Sequence, residues 1–215
     1  MYDYENRLVN VRDGGNIIWT SVYDALGRRI MKETGGVTAI YIYDGENLIQ
    51  TYDGENSLVA EYVHGSGIDN VLRADIHDGG NVTAYYYHKD GMGSTSELTD
   101  EDGALAQAYE YDAWGNPTIY DPSSGIENPF LYTGREWDGE ISLYYYRARH
   151  YAPHLGRFIQ PDPLGYVDGA NMYVALNSNP VYFEDPFGLS VTVMDWLVDT
   201  SWLPFTKGTR FSLVY

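Results

Sequence analysis

Apolar and polar residues alternate through the first half of the chain, in short runs separated by Asp-Gly, Gly-Gly or Gly-Asn pairs. Alternation is the period of a strand covered on one face, and those pairs favour tight hairpin turns. Asp53-Gly54, Asp78-Gly79-Gly80-Asn81 and Asp102-Gly103 are such turns, so each unit reads strand, turn, strand. The units recur. Tyr4, Tyr23, Tyr43 and Tyr62 lie 19, 20 and 19 residues apart, and Tyr87 and Tyr111 follow at 25 and 24. A period of about 20 predicts units that cannot bury a core alone and must stack on their neighbours. The aromatic ring of each Tyr-Asp motif is expected to stack on its equivalent in the next unit. The Asp that follows is expected to accept hydrogen bonds from turn amides. Exposed tyrosines would suit the faces of sugars, so a glycan- or receptor-binding surface is the alternative use of the same residues.

Past residue 120 the pattern is less regular. Asp121 to Gly125 reads as a loop, and Leu143 to Tyr151 alternates large aromatics with Arg147 and Arg149. That run predicts one buried strand whose arginines pair with acidic residues of the repeats. The same interleaving would suit nucleic-acid bases. After Leu189 the Tyr-Asp motif disappears. Val191, Met194, Leu197 and Val198 fall at helical spacing, predicting a short amphipathic helix to about Trp202, ended by Pro204 and Gly208.

Composition sharpens this picture. The 215 residues include 22 Tyr, 23 Gly and only 9 Pro, which favours strands and turns. The formal charge of −18 argues against a nucleic-acid partner and against docking on anionic lipid. With no cysteine, disulfides and thiolate metal sites are excluded. His77, His88 and His154 lack ligand-spaced partners, so neither metal nor cofactor is expected. No apolar run approaches the roughly 18 residues of a membrane span. The start, MYDYENRL, has no signal-peptide pattern and opens inside a repeat, which predicts a piece of a longer protein.

Candidate chemistry gathers between Gly156 and Leu189. Asp162-Pro163-Leu164-Gly165-Tyr166 and Asp185-Pro186-Phe187-Gly188-Leu189 are two Asp-Pro-x-Gly pentads with 18 residues between them. Each Pro fixes φ and each Gly permits a left-handed turn, so each pentad predicts a rigid turn headed by a carboxylate. Two neighbouring carboxylates can share a proton and activate a water against a peptide bond. A purely structural pair of turns fits the pattern too. Arg157 is the nearest candidate cation for steadying such a site, and Asp168 is a weaker second carboxylate. His88 and Asp90 have the look of a pair but sit beside a Gly-rich turn.

Gly156-Arg157-Phe158, Asp162-Pro163, Asn171-x-Tyr173, Asn179-Pro180 and Asp185 to Leu189, in that order, resemble the C-terminal core signature of Rhs/YD-repeat proteins. Tyr85-Tyr86-Tyr87-His88 with Asp90, and Tyr111-Asp112 with Gly115, resemble the elements ahead of that core. The resemblance runs over residues 1 to 189. It implies an all-β fold: a repeat-built antiparallel sheet curling into part of a hollow, cocoon-like shell, closed by an inward-turning plug after about residue 150. It divides the chain into 1–120, a shell wall; 121–189, the associated core; and 190–215, the start or remnant of a variable effector. It implies cleavage between Leu189 and Ser190, with Asp162 and Asp185 as the dyad. The implied partners are the C-terminal segment held inside the shell, with an N-terminal shell partner or delivery apparatus, and the implied location is outside a bacterial cell or at its surface. Tyr166 departs from the Leu usual at the end of the first pentad.

Overall fold

Turn chemistry sets the architecture of the repeats. The computed structural model describes residues 1–120, 125–166, 169–180 and 182–193. Eleven strands follow one another: β1 (Asn10–Asp13), β2 (Asn16–Tyr23), β3 (Arg29–Thr34), β4 (Val37–Asp44), β5 (Asn47–Asp53), β6 (Leu58–His64), β7 (Val71–Asp78), β8 (Asn81–Lys89), β9 (Thr95–Thr99), β10 (Leu105–Tyr111) and β11 (Pro117–Tyr120). They form one antiparallel sheet in chain order, which does not close on itself. Two kinds of turn recur. Gly14-Gly15, Gly35-Gly36 and Gly79-Gly80 all have positive φ, as a two-residue hairpin turn matching strand twist requires. The other kind is built on aspartate. Oδ1 of Asp24 accepts the amides of Leu26 and Arg28, and Asp53, Asp90, Asp100 and Asp112 each hold the amides two and four residues ahead in the same way. The expected role is met at Asp24, Asp53 and Asp112, which follow tyrosines, whereas Asp44 borders a two-residue turn through Gly45.

The tyrosines behave differently from the expectation. A bulge falls at Val22/Tyr23, Ile42/Tyr43, Val63/His64 and His88/Lys89, which bends the sheet at the same point of successive repeats. From these points, and from Tyr111 on β10, a polar side chain reaches back to a main-chain carbonyl. Tyr23 bonds Leu8 O at 2.8 Å, Tyr43 bonds Arg29 O at 2.9 Å, His64 bonds Leu48 O at 2.7 Å, Lys89 bonds Asp69 O at 2.7 Å and Tyr111 bonds Thr95 O at 2.7 Å. His64 and Lys89, rather than Tyr62 and Tyr87, thus occupy the repeat position. The rings of Tyr23 and Tyr111 meet Tyr145 and Tyr132 of the later chain rather than the next repeat's tyrosine. Neighbouring repeats are joined by arginine instead: Arg7 lies over Tyr23 and Arg28 over Tyr43, at 5.0 and 5.4 Å. Tyr43→Phe, which keeps the ring and orphans the Arg29 carbonyl, is expected to cost about 1 kcal/mol, read as a lowered urea midpoint with unchanged slope.

One face of the sheet is covered. It buries Trp19, Tyr41, Leu48, Ala60, Tyr62, Ala74, Leu98 and Tyr109, while Val22, Ile42, Val63 and Leu72 stay exposed. The covering layer is a four-stranded sheet of β12 (Glu136–Asp138), β13 (Leu143–Tyr146), β14 (Arg149–Ala152) and β15 (Arg157–Phe158). Tyr132, Tyr144, Tyr146, Tyr151 and Phe158 pack with Leu98 and Tyr109 in one core cluster. The aromatic–arginine run is not one strand. It is a hairpin that turns at Arg147, whose φ is +55°, and every residue of β13 and β14 is buried. The inward turn begins earlier than residue 150, since Phe130, Leu131 and Tyr132 are already buried. Arg29, fully enclosed, pairs with Asp138 and Glu136 of β12 and fastens the repeats to this layer.

A final pair, β16 (Phe183–Glu184) and β17 (Thr192–Val193), is antiparallel. The helix expected from Val191 therefore does not start there; Thr192-Val193, both β-branched, take the strand. The rest of that predicted helix, from 194, lies outside the described residues.

Candidate active site

Both pentads fold as predicted turns. Gly165 N–H donates to Asp162 O at 3.0 Å and Gly188 N–H to Asp185 O at 3.3 Å, with φ of +77° and +63° at the glycines. Gly188 is required twice over, because a Cβ there would lie 2.4 Å from Tyr146 O. Asp162 Oδ1 accepts the Leu164 amide at 2.7 Å, as in the repeat turns. Asp185 departs from that pattern. Its Oδ1 accepts the amides of Leu189 at 3.0 Å and Ser190 at 3.2 Å, so the carboxylate lies on the nitrogen of the Leu189–Ser190 bond.

One guanidinium joins the two turns. Arg149, on β14, sets Nη1 2.9 Å from Asp162 Oδ2 and Nη2 3.1 Å from Asp185 Oδ2. Its Nε donates to Gly188 O at 2.6 Å, and its charged carbon lies 3.7 Å from the centre of the Phe158 ring. Arg149 and Asp185 are each 2% exposed and Asp162 is 8% exposed. Burial pushes the Asp185 carboxyl up to about 6, against the pull of Arg149 and the two amides. A carboxyl in that range can hold a proton near neutrality and still give it up. A pocket of about 280 Å³, bordered by Asp69, Lys89, Thr133, Glu184 and Asp185, reaches the same turn.

Arg157, expected to steady the carboxylates, does not meet them. Strand alternation in β15 turns Phe158 inward and Arg157 outward, and both carboxylates pair with Arg149 instead. Asp168 lies outside the described residues. Tyr166 is 72% exposed. His88 and Asp90 do not form a pair: His88 Nε2 is 3.0 Å from Thr99 Oγ1, and Asp90 Oδ1 holds turn amides. Tyr23, Tyr43 and Tyr111 spend their hydroxyls on backbone carbonyls.

A bulged, repeat-built sheet covered on one face by a buried core that carries two carboxylate turns defines a YD-repeat shell segment. Residues 1–188 match the family model described as Teneurin YD-shell, and the chain belongs to that family. Among curated proteins it is 34% identical, over 92% of its own length, to the tRNA3(Ser)-specific nuclease WapA of Bacillus spizizenii. It is 31% identical, over 100% of its length, to double-stranded DNA deaminase toxin A of Burkholderia cenocepacia. The chain spans only 8% and 17% of those two relatives. The solved TcdB2-TccC3-Cdc42 structure shares the fold, with a TM-score of 0.72 and 24% identity over 88% of this chain and 10% of that one.

Proposed function

We propose that this chain is the closing segment of a shell around a C-terminal effector, and that it cuts itself between Leu189 and Ser190. In this reading residues 1–120 are wall, 121–189 are the core that closes the wall and performs the cut, and the effector segment begins at 190. The effector and a delivery apparatus outside the producing cell are the partners; the nuclease and toxin names of the relatives support that class. The observation that carries the cut is the single buried Arg149 holding both pentad carboxylates while Asp185 grips the Ser190 amide.

The chemistry balances without any added group. Asp162, as carboxylate, takes a proton from a water whose oxygen bonds to the Leu189 carbonyl carbon. In the tetrahedral intermediate the Ser190 nitrogen is no longer planar and carries a free lone pair; Asp185, protonated in place of accepting that N–H, delivers its proton there as the C–N bond breaks. The products are a carboxyl on Leu189 and an amine on Ser190. Arg149 holds both carboxylates in one fork and so sets the acid and the base side by side.

The reading is tested on pulse-labelled chain captured in urea, refolded by dilution and followed by intact mass. The expected product ends at Leu189; a chain that stays full length after prolonged incubation removes the reading. The pH dependence has a definite sign. Asp185 must be protonated, so above pH 6, its raised value, the rate constant is expected to fall about tenfold per unit, and to level off below it. A rate that rises between pH 6 and 8 would assign the acid to another group.

A further inference from the structure

The turn that carries Asp185 is held at each carbonyl that follows it. Gly188 O takes Arg149 Nε at 2.6 Å, Phe187 O takes the Ala148 amide at 3.2 Å, and Pro186 O takes two guanidiniums, Arg135 Nη1 at 2.7 Å and Arg147 Nη1. Two cations on one carbonyl repel unless an anion lies between them. Asp69 is that anion. Its Oδ1 is 2.7 Å from Arg147 Nη2, and its Oδ2 meets Arg135 Nη2. Arg135 is 3% exposed, and burial lowers its pKa to about 9, with Arg147 adding to the shift.

Asp69 does not belong to the core. It sits in the loop between β6 and β7 of the repeat sheet, 78 residues from Arg147. The loop is fixed there. Asp69 has φ +58°, its carbonyl receives Lys89 Nζ, and it lies so close to Gly134 that a Cβ on that glycine would come within 2.7 Å of Asp69 O. The repeat wall thus reaches into the core at the turn bearing Asp185.

We propose that Asp69 is a positioning residue for the cut: by setting Arg135 and Arg147 on the Pro186 carbonyl, it makes hydrolysis of the Leu189–Ser190 bond conditional on a folded repeat sheet. The inference rests on the self-cleavage reading. Asp69 touches neither the reacting bond nor Asp162. Its effect passes through the placement of Asp185, where a shift of about 1 Å can cost about a hundredfold in rate. A chain whose sheet is still forming would then keep its C-terminal segment attached.

The test uses the full chain refolded from urea, with cleavage read by intact mass and folding by circular dichroism and urea midpoint. Asp69→Asn is expected to slow cleavage about tenfold or more after folding is complete, and Asp69→Glu to recover part of the rate. Asp138→Asn breaks the separate buried contact with Arg29. It is expected to lower the urea midpoint at least as much, yet to cleave within about threefold of the parent. Arg147→Gln, at the more open side of the cluster, serves if Asp69→Asn does not fold, and is expected to slow cleavage likewise. Asp69→Asn or Arg147→Gln cleaving at the parent's rate, or slowing only as much as Asp138→Asn, overturns the inference alone. A parent that never cleaves removes the self-cleavage reading and this inference together.

Discussion

Asp162→Asn and Asp185→Asn are each expected to leave the chain at full length, with the parent ending at Leu189. Neither amide can take a proton from water or pass one to an amine. Loss of general acid–base catalysis at one group is worth about 10²- to 10⁴-fold. A single-turnover reaction slowed that much is readable as intact mass over days. The two substitutions differ in their effect on the fold. Each carboxylate offers one oxygen to turn amides and the other to Arg149. An asparagine must aim its NH₂ either at the guanidinium or at a backbone N–H, and both are donor against donor. Losing one such charged hydrogen bond costs about 1.5–3 kcal/mol. Asp185→Asn is expected to be the less stable of the two, since Asp185 is the more buried and its Oδ1 holds two amides. Cleavage persisting in both variants would rule out the dyad.

Arg149→Met is expected to abolish the cut and also to destabilise the chain more than any other single change considered. Methionine fills much of the space against Phe158 but leaves two buried carboxylates facing each other without a cation. Removing one partner of a buried ion pair costs about 3–5 kcal/mol. The loss has a pH signature. Without Arg149, the carboxyl of Asp185, already raised by burial, moves further up. Its protonated form then carries the stability, which is retained at low pH and lost as pH rises through that pKa. Urea midpoints of Arg149→Met and parent are therefore expected to converge toward pH 4 and to diverge toward pH 8. Arg149→Lys keeps the charge but cannot span both carboxylates and Gly188 O with one planar fork, so it is expected to fold and still not cut. A variant at Arg149 that cleaves normally would mean the guanidinium only supports packing.

Much of this was legible in the chain. Alternation and Gly-Gly pairs mark the hairpins, the Asp-x-x-Gly pattern marks the turns, and the pentads mark both carboxylates. Proximity in sequence misled at the cation. Arg157 is five residues from Asp162, but β15 exposes it, whereas Arg149 comes from a strand that antiparallel pairing lays alongside. A usable signal existed: a run as aromatic as 143–151 is buried on both faces, and an arginine inside it needs anions, which the repeats supply to Arg147 and the pentads to Arg149. The bulges were not legible. The residue just past the bulge is Tyr23 and Tyr43 in two units but His64 and Lys89 in the next two, where a count of tyrosines picks Tyr62 and Tyr87 instead. No simple count of tyrosines finds a position held by a shared hydrogen bond. Nor does any local pattern join Asp69 to a turn so far along the chain.

The short ladder of β16 and β17 separates two events that a cut suggests are one. Thr192 and Val193 lie just beyond the Leu189–Ser190 bond, yet they pair with Glu184 and Phe183 just before it. Hydrolysis would leave the new amino terminus stapled to the piece it had left, by main-chain bonds that the reaction does not touch. The nicked halves would travel together until something unzipped them. Under the proposed cut, severing the chain and separating its halves would be two distinct steps.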